Sequence, residues 1–263
     1  MMKIVLKIVC SLGAFTLLSL NVFAGQNNTL FLGKLDLRAK APIKELSQIS
    51  TDLAIADNPH FFDRNHLYFT QVLGTSNEPE ADVFVWDLST NSMRGIARLN
   101  KNQLAAATVS KDFGLLVVRE KDNDQVELRA INVNGNPETY LAQNGEGVAT
   151  SINAHQFEKS NWYLYTQNQQ QNELKSYNTK SKKTIVVSEL PQGSEYFSVS
   201  ATGHLIVSDG SKLYQRQIIA KGEYLQAEGD WSPMSIESNF CQSGITKTAI
   251  SPYGEMIALV CFN

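Results

Sequence analysis

Thr248-Ala249-Ile250-Ser251-Pro252-Tyr253-Gly254-Glu255-Met256-Ile257-Ala258-Leu259 decides how this chain reads. Two short apolar runs flank a turn that carries Pro and Gly, the pattern of a strand hairpin. Only four residues follow it. Near the other end, Leu30-Phe31-Leu32-Gly33-Lys34-Leu35-Asp36-Leu37 supplies strands with no such hairpin in front of them. Joined, the two halves make one complete repeat, so the sequence predicts a ring closed by a unit that its ends share.

The unit recurs along the chain. Its first strand and turn read Asn58-Pro59-His60-Phe61-Phe62-Asp63-Arg64-Asn65 and Ala107-Thr108-Val109-Ser110-Lys111-Asp112-Phe113-Gly114. Further copies are Thr150-Ser151-Ile152-Asn153-Ala154-His155 and Phe197-Ser198-Val199-Ser200-Ala201-Thr202-Gly203. A second strand follows each turn, at 66–70, 115–118, 162–166, 204–208 and 256–260. These runs are rich in aromatic and β-branched residues, as strands buried on both faces should be. Third strands, at 30–32, 83–86, 126–131, 173–177 and 213–216, tend to alternate apolar and polar residues. Fourth strands are expected at 42–49, 93–99, 138–142, 184–190 and 224–227. Residues 43–49 also fit a short helix, but the ring requires an edge strand there. Five units over residues 25–263 take about 48 residues each, the size of a propeller repeat. The expected fold is all-β: a single β-propeller of five four-stranded blades, with six blades or a β-sandwich as alternatives.

Residues 1–24 stand apart. Lys3 and Lys7 precede an apolar run at 14–20, and Val22-Phe23-Ala24 is a small-residue cleavage pattern. This reads as a secretory signal peptide cut after Ala24, with the propeller domain at 25–263 and a secreted or periplasmic destination. The run is short for a membrane span, so no membrane insertion is expected after cleavage. Removing Lys3 and Lys7 leaves 21 basic against 26 acidic residues, a net charge of −5. Such a balance gives no electrostatic reason to bind nucleic acid.

The repeats resemble the WD40-like (PD40) propeller repeats of the TolB family. Their mark is a Ser-Pro-Asp-Gly turn before an apolar strand, then a strand carrying an aromatic and an Asp. Ile250-Ser251-Pro252-Tyr253-Gly254-Glu255-Met256-Ile257-Ala258 matches the turn with Tyr253 in place of Asp, and Asp82-Val83-Phe84-Val85-Trp86-Asp87-Leu88 matches the strand. TolB proteins carry an extra N-terminal domain and six blades, and the pattern here has neither. The resemblance therefore implies a scaffold and a periplasmic binding module, by analogy of fold.

Candidate chemistry is sparse. Cys10 leaves with the leader, and an exported protein with two remaining cysteines, Cys241 and Cys261, invites a disulfide. In a blade, the loop before the first strand and the end of the second lie on one face, which favours the bridge; the loop also allows them to stand apart. His60, His66, His155 and His204 show no ligand spacing, so no metal is expected. A funnel hydrolase would need two or three carboxylates aimed inward, and the innermost strands as read contain none, with Asp57, Asp63 and Asp112 only flanking them. Asp122-Asn123-Asp124 lacks the Gly and Glu of a complete calcium loop. No phosphate-binding or nucleophile-elbow motif occurs, and neither catalysis nor a cofactor is expected. Most aromatics, such as Trp86 and Tyr214, read as packing between blades, while Trp231 and Phe240 are placed at loop ends as a possible interaction rim. The expected function is protein–protein interaction in the cell envelope. The alternative is an enzyme acting on a carbohydrate or lactone.

Overall fold

A computed structural model describes residues 28–49, 56–61, 63–73, 80–99, 107–110, 115–122, 125–132, 137–143, 149–155, 162–167, 172–178, 180–181, 183–194, 196–236, 240–241 and 243–262. The expected leader, Phe62, Asp112, Asn123 and Asp124 lie outside them. Among the described residues there are twenty strands. The chain opens with β1 (Asn28–Leu35) and β2 (Ile43–Gln48). Four complete sets follow. The first is β3 (Ala56–Phe61), β4 (His66–Leu73), β5 (Glu80–Asp87) and β6 (Ser92–Leu99). The second is β7 (Ala107–Ser110), β8 (Leu115–Asp122), β9 (Gln125–Asn132) and β10 (Pro137–Gln143). The third is β11 (Ala149–His155), β12 (Trp162–Gln167), β13 (Glu173–Asn178) and β14 (Lys183–Glu189). The fourth is β15 (Tyr196–Val199), β16 (His204–Ser208), β17 (Leu213–Lys221) and β18 (Tyr224–Met234). The chain finishes with β19 (Ile245–Ile250) and β20 (Met256–Phe262).

Each complete set forms an antiparallel four-stranded sheet in sequence order. The remaining sheet, β19-β20-β1-β2, is assembled from both ends of the chain. Its joint is the antiparallel pair β1–β20, in continuous register from Asn28 opposite Phe262 to Lys34 opposite Met256. The first strands of the sheets neighbour one another as β3, β7, β11, β15, β19 and back to β3. The fold is all-β and propeller-like. Residues 43–48 are a strand, as an outer position beside β1 demands.

Burial explains the second-strand composition. In β20, Ile257, Leu259 and Cys261 pack towards the fourth set with Ile206, Leu213 and Met234. The intervening Ala258 and Val260 pack towards the first set with Phe61, Leu67 and Phe69. Alternate side chains thus enter two separate apolar layers, so an uninterrupted apolar run is required. A third layer joins Leu164, Leu174 and Val187 to Phe197, Leu205 and Ile218. Each fully buried Leu or Ile contributes on the order of 1.5–3 kcal/mol by leaving water.

One hairpin outgrows its expectation. β17 and β18 stay paired from Leu213 opposite Met234 to Lys221 opposite Tyr224. The sequence places their ends at Arg216 and Ala227. A register shift between Gln215 and Gln217 absorbs the irregular Glu228-Gly229-Asp230 stretch, which reads locally as a loop.

Candidate functional site

The repeated turn is held by one buried acceptor. Ser251 is 1% exposed, and its Oγ accepts from the N–H groups of Glu255 (3.1 Å) and Met256 (2.9 Å). Ser200 Oγ accepts from the His204 N–H at 3.0 Å in the same way. Asp63 occupies the matching place between β3 and β4, where Oδ1 accepts from the N–H groups of Asn65 and His66. Burial pushes the Asp63 carboxyl up, but these bonds and the His66 ring, with Nδ1 2.9 Å from each oxygen, outweigh it and hold the group below its ordinary range.

The Asp of the third strand has an equally local task. Asp87 Oδ1 accepts from the N–H and hydroxyl of Ser89 and from the N–H of Thr90, closing the β5–β6 turn. The Ser89 hydroxyl is the chief reason its carboxyl is lowered to about 2. Asn178 serves the β13–β14 turn through the N–H groups of Lys180 and Ser181, and Asp36 serves the turn after β1 through Arg38. These Asp and Asn side chains are turn-closing groups.

Turns at this end of the molecule are bonded to one another. The Leu88 N–H donates to the Asn65 carbonyl at 2.7 Å, and the Ala201 N–H to the Pro252 carbonyl at 2.8 Å. Arg64 pairs with Glu255 at 3.0 Å. The Ile218 N–H donates to the Gly203 carbonyl, so β17 runs on past its neighbouring turn, and Asn178 Nδ2 reaches the Glu223 carbonyl at the hairpin tip. Four sheets therefore share one connected surface. Tyr253, 63% exposed, lies in the β19–β20 turn on this surface, where the repeat usually has Asp. Sequence reasoning missed Tyr253 and the hairpin tip as surface features. An aromatic at a turn apex, and the Lys221-Gly222-Glu223-Tyr224 turn, were the available signals.

The opposite end carries the disulfide. Cys241 and Cys261 are bridged, with Cα atoms 5.0 Å apart. Cys241 has φ +59°, a left-handed conformation uncommon for a side-chain-bearing residue. Phe240 beside it is 41% exposed and tilts against Phe31 at a centroid distance of 5.3 Å. Trp231 does not sit at a loop end. It lies inside the extended β18, its indole N–H donates to the Glu189 carbonyl at 3.0 Å, and the Arg216 guanidinium lies 5.8 Å from its ring centre. The two residues paired as a rim in the sequence thus occupy different settings, one on a strand and one in a turn.

Among the described residues, no three of His, Cys, Asp or Glu lie close enough together to hold a metal ion. His204 is half-buried, and burial lowers its pKa. Asp57 falls within the innermost strand β3, opposite Thr70, and does not merely flank it. No helix in the described residues is long and apolar enough to cross a membrane.

No family model matches the chain, and no curated protein matches it. Solved structures do. TolB from Acinetobacter baumannii aligns at TM-score 0.52 and 12% identity over 89% of this chain, which spans 63% of that protein. A putative TolB from Agrobacterium tumefaciens aligns at TM-score 0.52 and 10% identity, covering 91% of this chain and 99% of the other. A putative 6-phosphogluconolactonase from Bacteroides uniformis aligns at 0.51 and 9%, covering 90% of each. At such identities the likeness concerns fold alone, and the fold is compatible with more than one function. The chain is similar in fold to the TolB propellers.

Proposed function

We propose that the chain is an exported five-bladed β-propeller, closed by the sheet its two ends share, and that it binds a protein partner in the cell envelope without catalysis. Support for the ring comes from the cyclic neighbour order of the first strands and from the β1–β20 joint. Support for export comes from the leader-like residues 1–24 and from a cysteine pair suited to an oxidising compartment. The observation that carries the binding reading is the set of bonds linking the turns of four sheets. They hold one end of the molecule as a preformed surface, and preformed surfaces lose little entropy on binding.

Affinity capture from periplasmic extract, with cross-linking, tests it. A stoichiometric protein partner is the expected result. Failure to recover one, together with turnover of a glycan or lactone panel, would replace the binder with the enzyme. Asp57 on an innermost strand is the residue whose replacement by Asn would then be examined first.

A further inference from the structure

Arg216 carries a charge that the described residues do not balance. It lies on β17 opposite Leu205 of β16 and faces the third set, where its Nη1 donates to Ser188 Oγ at 2.9 Å. The layer between these two sets is apolar, built from Leu174, Val187, Leu205 and Ile218. The guanidinium carbon is 5.8 Å from the centre of the Trp231 ring. Its Nε is buried and has no hydrogen-bond partner. Among the described residues no carboxylate pairs with Arg216. Glu189, Glu228 and Asp230, the acids of β14 and β18, are exposed and make no ion pair with it.

Arg98 shows what a fully engaged arginine does in the same molecule. Its Nε and Nη2 donate to the two oxygens of Asp82 at 2.7 and 3.0 Å. Those two nitrogens form one edge of the planar guanidinium, spaced to match a carboxylate. In Arg216 only Nη1 is used, and the Nε–Nη2 edge has no partner among the described residues. Ser188 is neutral and the indole ring answers only part of the charge, so a half-buried guanidinium here favours an anion. The charge count selects which anion. Lys183 and Lys221, the other cations of β14 and β17, stand at the far ends of those strands. One cation with one fork matches a single carboxylate, whereas a phosphate dianion would remain half balanced.

We propose that the Nε–Nη2 edge of Arg216 binds a single carboxylate, which enters from the rim between β14 and β18. Each carboxylate oxygen accepts from one nitrogen, as Asp82 does from Arg98, while Ser188 holds the guanidinium through Nη1. Arg216 and Trp231 both keep part of their surface at this rim, where the indole N–H donates to the Glu189 carbonyl. Because Nε itself is covered, the entering group must shift its neighbours, and Trp231 registers the movement.

Titration of the purified protein with acetate at constant ionic strength tests the assignment, followed by tryptophan emission and by NMR line broadening of isotope-labelled acetate. Both readouts should saturate, while acetamide, the neutral isostere, and chloride should give no response. Arg216→Gln should abolish binding. Arg216→Lys, which keeps the charge but not the fork, should weaken it about tenfold, and it serves as the test if circular dichroism shows the Gln variant unfolded. Trp231→Phe should remove the emission change and leave the NMR broadening. Acetyl-glycylglycine separates two sources of the group: binding of it alongside acetate admits a chain terminus, and binding of acetate alone restricts the site to a small free acid, either result upholding a carboxylate site. Absence of acetate binding, binding by either Arg216 variant equal to that of the parent protein, or tighter binding of inorganic phosphate than of acetate overturns the proposal.

Discussion

Removing the Cys241–Cys261 bridge should lower the melting temperature by about 7 °C. The two cysteines are 20 residues apart in sequence, and closing a loop of that size in the unfolded chain costs about 3.3 kcal/mol by the chain-entropy relation. For a domain of this length each kcal/mol shifts the midpoint by about 2 °C. The backbone of Cys241, at φ +59°, adds a second effect. A left-handed non-glycine residue costs roughly 1–2 kcal/mol, and the bridge helps to hold it there. Cys261 is fully buried among apolar side chains, so Ala is the replacement that adds no unsatisfied hydroxyl. Thermal unfolding would compare the oxidised protein with Cys241→Ala/Cys261→Ala and Cys241→Gly/Cys261→Ala. The Ala pair should lose the full amount, and the Gly pair should recover about 1 kcal/mol of it. A shift below about 2 °C for the Ala pair would show that the bridge does not constrain the unfolded chain. Equal midpoints for the two variants would show that the backbone strain is not borne in the folded state.

Other changes separate local from tertiary causes. Gly244→Ala would drive a Cβ into the Gly210 carbonyl oxygen at φ +124°, whereas Gly222→Ala at φ +62° meets nothing within 4 Å. Urea titration should show losses of about 3 kcal/mol or more for the first and about 1 kcal/mol for the second. Ser251→Ala strips the acceptor from two turn N–H groups and should cost about 1–3 kcal/mol, read in the same titration; a neutral result would mean that the turn closes without it. Asp87 has a folded pKa near 2, below its ordinary 3.8. Its contribution is therefore fully present above pH 3.8 and is lost as pH falls through about 2. Asp87→Asn should flatten that part of the acid-unfolding profile, and an unchanged profile would remove the turn from the explanation of acid sensitivity.

The strands legible from sequence are those whose two faces meet the same environment. Residues 256–260 and 204–208 bury alternate side chains in two apolar layers, so their composition announces them without any knowledge of neighbours. Turn positions were legible for a similar reason. Ser251, Ser200 and Asp87 act on N–H groups within a few residues, and chemistry of that range is written in the local sequence. The length of β17 and β18 was not, because Glu228-Gly229-Asp230 becomes strand only through a bulge against Gln215 and Gln217. Trp231 was misplaced at a loop end for that reason alone.

By itself, then, the amino-acid sequence determined the repeat, the all-β class and the cysteine pair available for bridging, since periodicity and turn chemistry are short-range properties. Tertiary structure decided which residues share a surface. Arg64, Arg94, Lys180, Lys221 and Tyr253 are spread over nearly 190 positions, and each alone is an ordinary solvated side chain. They come to the same end of the molecule only because antiparallel sheets return the chain there at every unit, and turn-to-turn bonds then hold those ends together.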